Sequence, residues 1–244
     1  VELGEARDRL FLALPSKPLM VRFDPDHTIP KTLKFPRPKE LLLYQLASDA
    51  DCMGRIEAAQ ELGKIVDPDV IAALKKALLN DPFWGVQAEA ASVLEKVRLD
   101  SARDALIEGL GVGNPKARRA LVKALGSYKD AKASHALRAL AERDESYYVE
   151  ADAVYAWAVS QFAPGASNPK SEGDVVEFLS RKLVKDSYRD VIRGAALRAL
   201  AQVPGLGRGE HSRALDLLLE WTRRGMQPEA RVAAVAALGP VVRT

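Results

Sequence analysis

Cysteine is almost absent from this sequence. The single thiol, Cys52, excludes an internal disulfide and any cysteine-based metal cluster, and a cytoplasmic location fits it. Long apolar runs are also missing. Nothing approaches the roughly 20 residues needed to cross a bilayer, and no basic start followed by an apolar core resembles a signal peptide, so no membrane partner is expected. Neither charge sign dominates: 36 lysines and arginines face 33 acidic residues, a net charge of +3, with the two signs interleaved. That pattern describes a solvated surface, so no nucleic-acid partner is expected. The most basic short run, KARR at 116–119, places Lys116, Arg118 and Arg119 in the first turn of a helix, where surface charge explains them. Close histidine spacing is missing too. His27, His135 and His211 lie far apart, and no H-E-x-x-H motif provides a zinc-hydrolase site on one helix. There is no G-x-S-x-G elbow and no partner set for Cys52 as a nucleophile. No catalytic residue, metal ligand or cofactor is therefore assigned to these 244 residues. The start at Val1, without methionine, reads as a domain excised from a longer protein or a processed one.

What the sequence does contain is of two kinds. In the first thirty-five residues, RLFLAL (9–14), LMVRF (19–23) and KTLKF (31–35) are short, apolar or alternating, and separated by Pro15, Pro18, Pro25 and Pro30. They read as strands and turns. Three short strands leave edges unpaired and little apolar face to bury, so they are expected to be the end of a β domain. From Glu40 the period becomes helical, and an internal repeat appears. Leu62, Leu94, Leu125, Trp157, Leu200 and Leu238 recur at steps of 32, 31, 32, 43 and 38 residues. Four positions earlier stand Ala58, Ala90, Leu121, Ala153, Ala196 and Ala234. Three positions earlier stand Ala59, Ala91, Val122, Val154, Leu197 and Val235. Such positions share one helix face, and alanine there lets a neighbouring helix approach closely.

A second amphipathic segment precedes each copy: KELLLYQLA, VIAALKKALL, ARDALIEGL, SHALRALAE, VVEFLSRKLV and RALDLLLEWT. About six helical hairpins follow. One hairpin cannot bury both its faces, so the copies must stack into a mainly α, HEAT-like α-α solenoid. The longer steps coincide with FAPGASNPKSEGD (162–174) and VPGLGRGEHS (203–212), which read as inter-repeat loops, and GLGRG has neither familiar phosphate-cradle spacing.

Asp49, Asp81 and Asp144 each stand thirteen residues before an anchor, and three residues beyond them come Cys52, Trp84 and Tyr147. An aspartate at such a corner caps the following helix, and Pro82 suits its first turn. The bulky residue is expected to plug the corner. Trp84, Tyr147 and Tyr148 are nonetheless the candidate contacts for a peptide or a neighbouring domain, with Arg118 beside them. Acidic pairs such as Asp190 with Glu177, or Asp144 with Glu145, are explained as surface charge.

Residues 17–64, KPLMVRFDPDHTIPKTLKFPRPKELLLYQLASDADCMGRIEAAQELGK, followed by NDPFWGVQAEAASVL at 80–94, resemble the junction between the β-sandwich and the C-terminal helical domain of M1-family zinc aminopeptidases. The matching elements are VRFDP at 21–25, Lys31, Tyr44 to Leu46, Arg55 to Ala59 and DPFWGVQAEAA. The resemblance implies a remnant of the β-sandwich at 1–37 and a HEAT-like repeat domain at 38–244 that leans over the active site of its parent. It implies a hinge near Pro36 to Pro38. Zinc would belong to the parent alone, because H-E-x-x-H and G-A-M-E-N occur nowhere here. The implied role is non-catalytic: covering the active-site chamber, with the parent's catalytic domain and peptide substrate as partners. The alternative is a HEAT-repeat protein-interaction scaffold from an M1-like chain without peptidase activity. A third reading is an enzyme built on helical repeats, as in phycobilin lyases or HEAT-like DNA glycosylases.

Overall fold

The computed structural model describes residues 11, 13–26, 28–166, 170–204, 206, 212–223 and 227–239. Among them are twelve α-helices that pair as six hairpins: α1 (Lys39–Ser48) with α2 (Cys52–Leu62), α3 (Pro68–Asn80) with α4 (Trp84–Val97), α5 (Asp100–Gly109) with α6 (Pro115–Leu125), α7 (Ala131–Glu142) with α8 (Tyr147–Phe162), α9 (Glu172–Leu183) with α10 (Val191–Leu200), and α11 (Arg213–Trp221) with α12 (Pro228–Leu238). Each repeat anchor falls on an even-numbered helix, and each preceding amphipathic segment forms the odd-numbered helix before it.

Helix starts follow from local chemistry. The side chains of Asp51, Asp67, Asn114, Asp130 and Ser171 accept a hydrogen bond from the first free N–H groups of their helices, and Pro68, Pro115 and Pro228 occupy first-turn positions where no donor is lost. The even helices then stack one on the next from α2 to α12, more closely than the odd helices do. The alanine columns explain this. Ala58, Ala90, Ala153, Ala196 and Ala234, with their neighbours Ala59 and Ala91, have no exposed surface, so backbones meet where longer side chains would hold them apart. Leucines fill the seam between the two layers. Leu62, Leu74, Leu94, Leu106, Leu125, Leu137 and Leu179 are fully buried, each contributing about 1.5–3 kcal/mol relative to exposure. The column fails only at its last copy, where Val235 is 59% exposed because α12 has no following described helix to cover it.

Residues 11–38 differ from expectation. The strands expected at 19–23 and 31–35 are not formed, nor is any strand at the described positions of 9–14; residues 1–10 and 12 lie outside the described part. A strand requires a partner edge, and none is offered among the described residues. The segment is organised by side chains. The Asp24 carboxylate accepts the N–H groups of Thr28 and Ile29, both at 3.0 Å, the Thr28 hydroxyl and the Lys31 ammonium. Arg22 then ties the segment to the first hairpin through Asp51 at 2.7 Å and Asp49 at 3.4 Å. Arg37 donates to Gln45 Oε1 at 2.6 Å, and the buried Gln45 passes the connection on by donating to the Gly54 carbonyl at 2.8 Å.

Candidate binding surfaces

Two of the corner aspartates, Asp81 and Asp144, do more than the sequence led us to expect, because each joins two repeats. Asp81 Oδ1 accepts the Phe83 N–H at 2.9 Å and Asp144 Oδ1 accepts the Ser146 N–H at 2.7 Å, which fixes the turn into the next helix. Pro82, expected in the first helical turn, lies ahead of it: α4 begins at Trp84, with Phe83 in the capping position. From the hairpin before, an arginine closes on each aspartate as a two-bond fork. Arg55 donates through Nε and Nη2 to Asp81 at 2.7 and 2.9 Å. Arg118 does the same to Asp144 at 3.2 and 2.9 Å. The remaining nitrogen turns back to its own corner, Arg55 to the carbonyls of Asp49 and Ala50, Arg118 to those of Val112 and Gly113.

The arginines stand seven residues before the repeat anchor, in a column that continues as Gln87, Glu150, Arg193 and Arg231. The sequence reading did not separate this column from the apolar ones. Extending the alignment two helical turns back from each anchor would have exposed it. At the fourth copy the charge order inverts. The buried Glu150 carboxylate receives the ammonium groups of Lys182 at 2.9 Å and Lys185 at 2.7 Å. Burial pushes the Lys182 ammonium down from the usual lysine range, opposed by its hydrogen bond to Glu150. In the fifth copy Arg193 donates to the Leu183 carbonyl at 2.6 Å and to Asp190, and lies over the Trp221 ring at 4.8 Å.

These contacts decide which predicted residues face outward. Arg118 is buried and held by Asp144, so it is not available to a partner. Its neighbours in the KARR run are. The Lys116 ammonium sits 4.7 Å from the Trp84 ring centre, and the Arg119 guanidinium 5.4 Å from that of Tyr148 while pairing with Asp152 at 2.6 Å. Two cation–ring pairs, side by side on α6, therefore form a ladder that joins α6 to α4 and to α8. Tyr147 and Tyr148 are both exposed, whereas Trp84 and Cys52 are partly buried against the core. Cations held over ring faces in this way are worth about 0.5–1 kcal/mol at exposed sites.

On the odd layer the spacing opens between the fourth and fifth hairpins. The loop after α8 sets the α9 backbone apart from that of α7, and side chains bridge the gap: Arg138 lies over the Phe178 ring, and Lys182 donates to the Glu142 carbonyl at 2.9 Å. A cavity of about 670 Å³ lies between them, with Trp157 and Gln161 of α8 at its floor. Gln161 fixes that floor, donating to Ser134 Oγ at 3.0 Å and accepting the Lys170 N–H at 3.2 Å. Residues 167–169 of the loop, and 205 and 207–211 of the second glycine-rich connection, lie outside the described part. So do His27 and His211; His135 is exposed on α7 beside the cavity. Among the described residues, no three histidine, cysteine, aspartate or glutamate side chains gather as a metal site, and no helix is long and apolar enough to cross a membrane. The acidic pairs read as surface charge are ion-paired instead: Asp144, only 7% exposed, with Arg118, and Asp190 with Arg193.

The profile of the HEAT repeats family matches residues 40–111 and 71–158. Over the matched residues the chain is a HEAT-like repeat domain. It is 20% identical to an engineered protein of known crystal structure, over 84% of this chain and 96% of that one, with a TM-score of 0.49. It is likewise 20% identical to human deoxyhypusine hydroxylase in complex with glycerol, over 84% of this chain and 85% of that one, with a TM-score of 0.47. No curated protein matches.

Proposed function

We propose that this HEAT-like repeat domain is a non-catalytic binding body that covers a folded partner. In line with the resemblance at 17–64 and 80–94, the partner is the catalytic domain of an M1-type zinc aminopeptidase on the same polypeptide. The observation that carries the reading is the segment before α1. Phe11, Leu14, Leu19, Phe23, Ile29 and Leu33 are all exposed, Phe11 at 87%, although Arg22 and Arg37 hold the segment in place against the first hairpin. Apolar side chains clustered on an anchored segment mark a surface that another body covers. The ladder of Trp84, Lys116, Arg119 and Tyr148 supplies a second contact surface, suited to a domain or to the distal part of a peptide. Zinc would be held by the partner, and the domain 1–37 and 38–244 would act as joint and cover.

The second reading, an interaction scaffold without peptidase chemistry, rests on that same ladder and needs no catalytic partner. The coding sequence upstream of Val1 separates the two. An intact H-E-x-x-H with its downstream glutamate supports the aminopeptidase reading, and a degenerate version leaves the scaffold. The purified 244-residue chain is expected to release no N-terminal residue from aminoacyl p-nitroanilides with added Zn²⁺. Zinc-dependent release would overturn both readings.

A further inference from the structure

The cavity between α7 and α9 brings two guanidinium groups together, only one of which has an acidic partner among the described residues. Arg138 of α7 places its guanidinium carbon 3.7 Å from the centre of the Phe178 ring and 4.3 Å from that of Trp157. Arg181 of α9 converges on the same Phe178 ring from the other wall, at 5.8 Å. Arg138 has one acidic partner, Glu142, which receives its Nε and Nη2 on a single oxygen at 3.0 and 2.7 Å and leaves Nη1 free of any partner among the described residues. Arg181 has no acidic partner among them. Two guanidinium groups from facing helices repel each other, and an aromatic ring does not neutralise them. A planar oxyanion between them would, through the paired N–H geometry that arginine offers a carboxylate. Asp174 and Glu177 of α9 line the same cavity as His135 of α7, and neither carboxylate forms an ion pair among the described residues. Charges of both signs thus line one cavity and do not reach each other.

We propose that this cavity binds the C-terminal end of a peptide. The terminal carboxylate sits between Arg138 and Arg181 over the floor of Trp157 and Gln161, and the preceding backbone N–H groups face Asp174 and Glu177. The volume of about 670 Å³ is that of a site for a few residues. The site lies on the odd layer, so it is separate from the ladder on the even layer and does not rest on the M1 reading.

The test titrates N-acetyl-trialanine, the same peptide as its C-terminal amide, and inorganic phosphate into the full chain, reading the Trp157 indole N–H by NMR. The free carboxylate peptide is expected to shift that signal saturably, and the amide is not. Arg181→Ala, at an exposed side chain, is expected to weaken binding by about tenfold or more without lowering the melting temperature. No saturable shift, an equal response to the amide, or unchanged affinity in Arg181→Ala would overturn the proposal. Displacement of the peptide by an equal or lower concentration of phosphate would overturn the assignment to a peptide carboxylate.

Discussion

Replacing Arg118 with alanine is the sharpest perturbation available to the repeat stack. Its guanidinium closes on both Asp144 oxygens, at 3.2 and 2.9 Å, and reaches the Val112 and Gly113 carbonyls at 3.0 and 2.9 Å. The two charged side chains are 10% and 7% exposed. Truncation leaves a buried carboxylate with one N–H partner and strands two carbonyls, which costs about 3–5 kcal/mol. Arg119, the next residue, makes a shorter ion pair, 2.6 Å to Asp152, but at 46% and 35% exposure. Water and salt already screen that pair, so Arg119→Ala costs only about 0.2–1 kcal/mol. Burial, and not distance, sets the order. Urea unfolding followed by circular dichroism gives the two values, with hydrogen exchange resolved over α6 to α8 because stacked repeats need not unfold as one unit. Replacing Arg118 with methionine and Asp144 with leucine together is expected to recover most of the loss, since neither charge is then left alone. The reasoning is refuted if Arg118→Ala and Arg119→Ala agree within about 1 kcal/mol, or if the double apolar replacement is as damaging as the single one.

Two further outcomes follow from the first hairpin. Gly54→Ala on a helix with room would gain about 1 kcal/mol of propensity, but here the new Cβ would stand 2.0 Å from Asp49 Oδ2 and 3.0 Å from Arg22 Cζ. Overpacking of about 1–3 kcal/mol is expected instead, with faster proteolysis across 19–37 as the Arg22 contact loosens; a stabilised variant would refute it. The Met53 N–H, and then Arg22, hold the Asp51 carboxyl below its ordinary value of 3.8. A depressed folded value means stabilisation that is present above the unfolded value and lost as pH falls through the folded one. The melting-temperature gap between the protein and Asp51→Asn is therefore expected to close between about pH 5 and pH 2, and a constant gap would show that this carboxylate is not linked to folding.

The six hairpins were legible because apolar periodicity is a local signal, repeated in each copy. The columns through Leu62, Leu94 and Leu125 fall on buried faces of the even helices, and the odd helices occupy the segments that precede them. The described residues before α1 depart from the expected strands for the opposite reason. Alternation in LMVRF meets the requirements of one strand, but a strand exists only when another chain segment completes its ladder. Here a single carboxylate, Asp24, gathers Thr28, Ile29 and Lys31 into a loop, and Arg22 points away to α2. Arg118 was misplaced because a charge in a basic run reads as exposed when burial is not known.

The ladder and the forks were hidden by the same geometry. Aligning repeats compares each position with its own equivalents, whereas neighbouring copies touch through unlike positions. Asp144 stands thirteen residues before its anchor, but the arginine that meets it, Arg118, stands seven before the anchor of the preceding copy. Likewise Trp84 is ten before Leu94, and the Lys116 above it nine before Leu125; Arg119 is six before Leu125, and the Tyr148 beneath it nine before Trp157. No single column contains either pair. Each is set by the offset with which one hairpin stacks on the next, and that offset depends on how closely the alanine columns allow the even helices to approach. Widening one alanine, as in Ala90→Leu, would therefore disturb contacts between residues that it does not touch, because the register that joins Lys116 to Trp84 is a property of the packed layer.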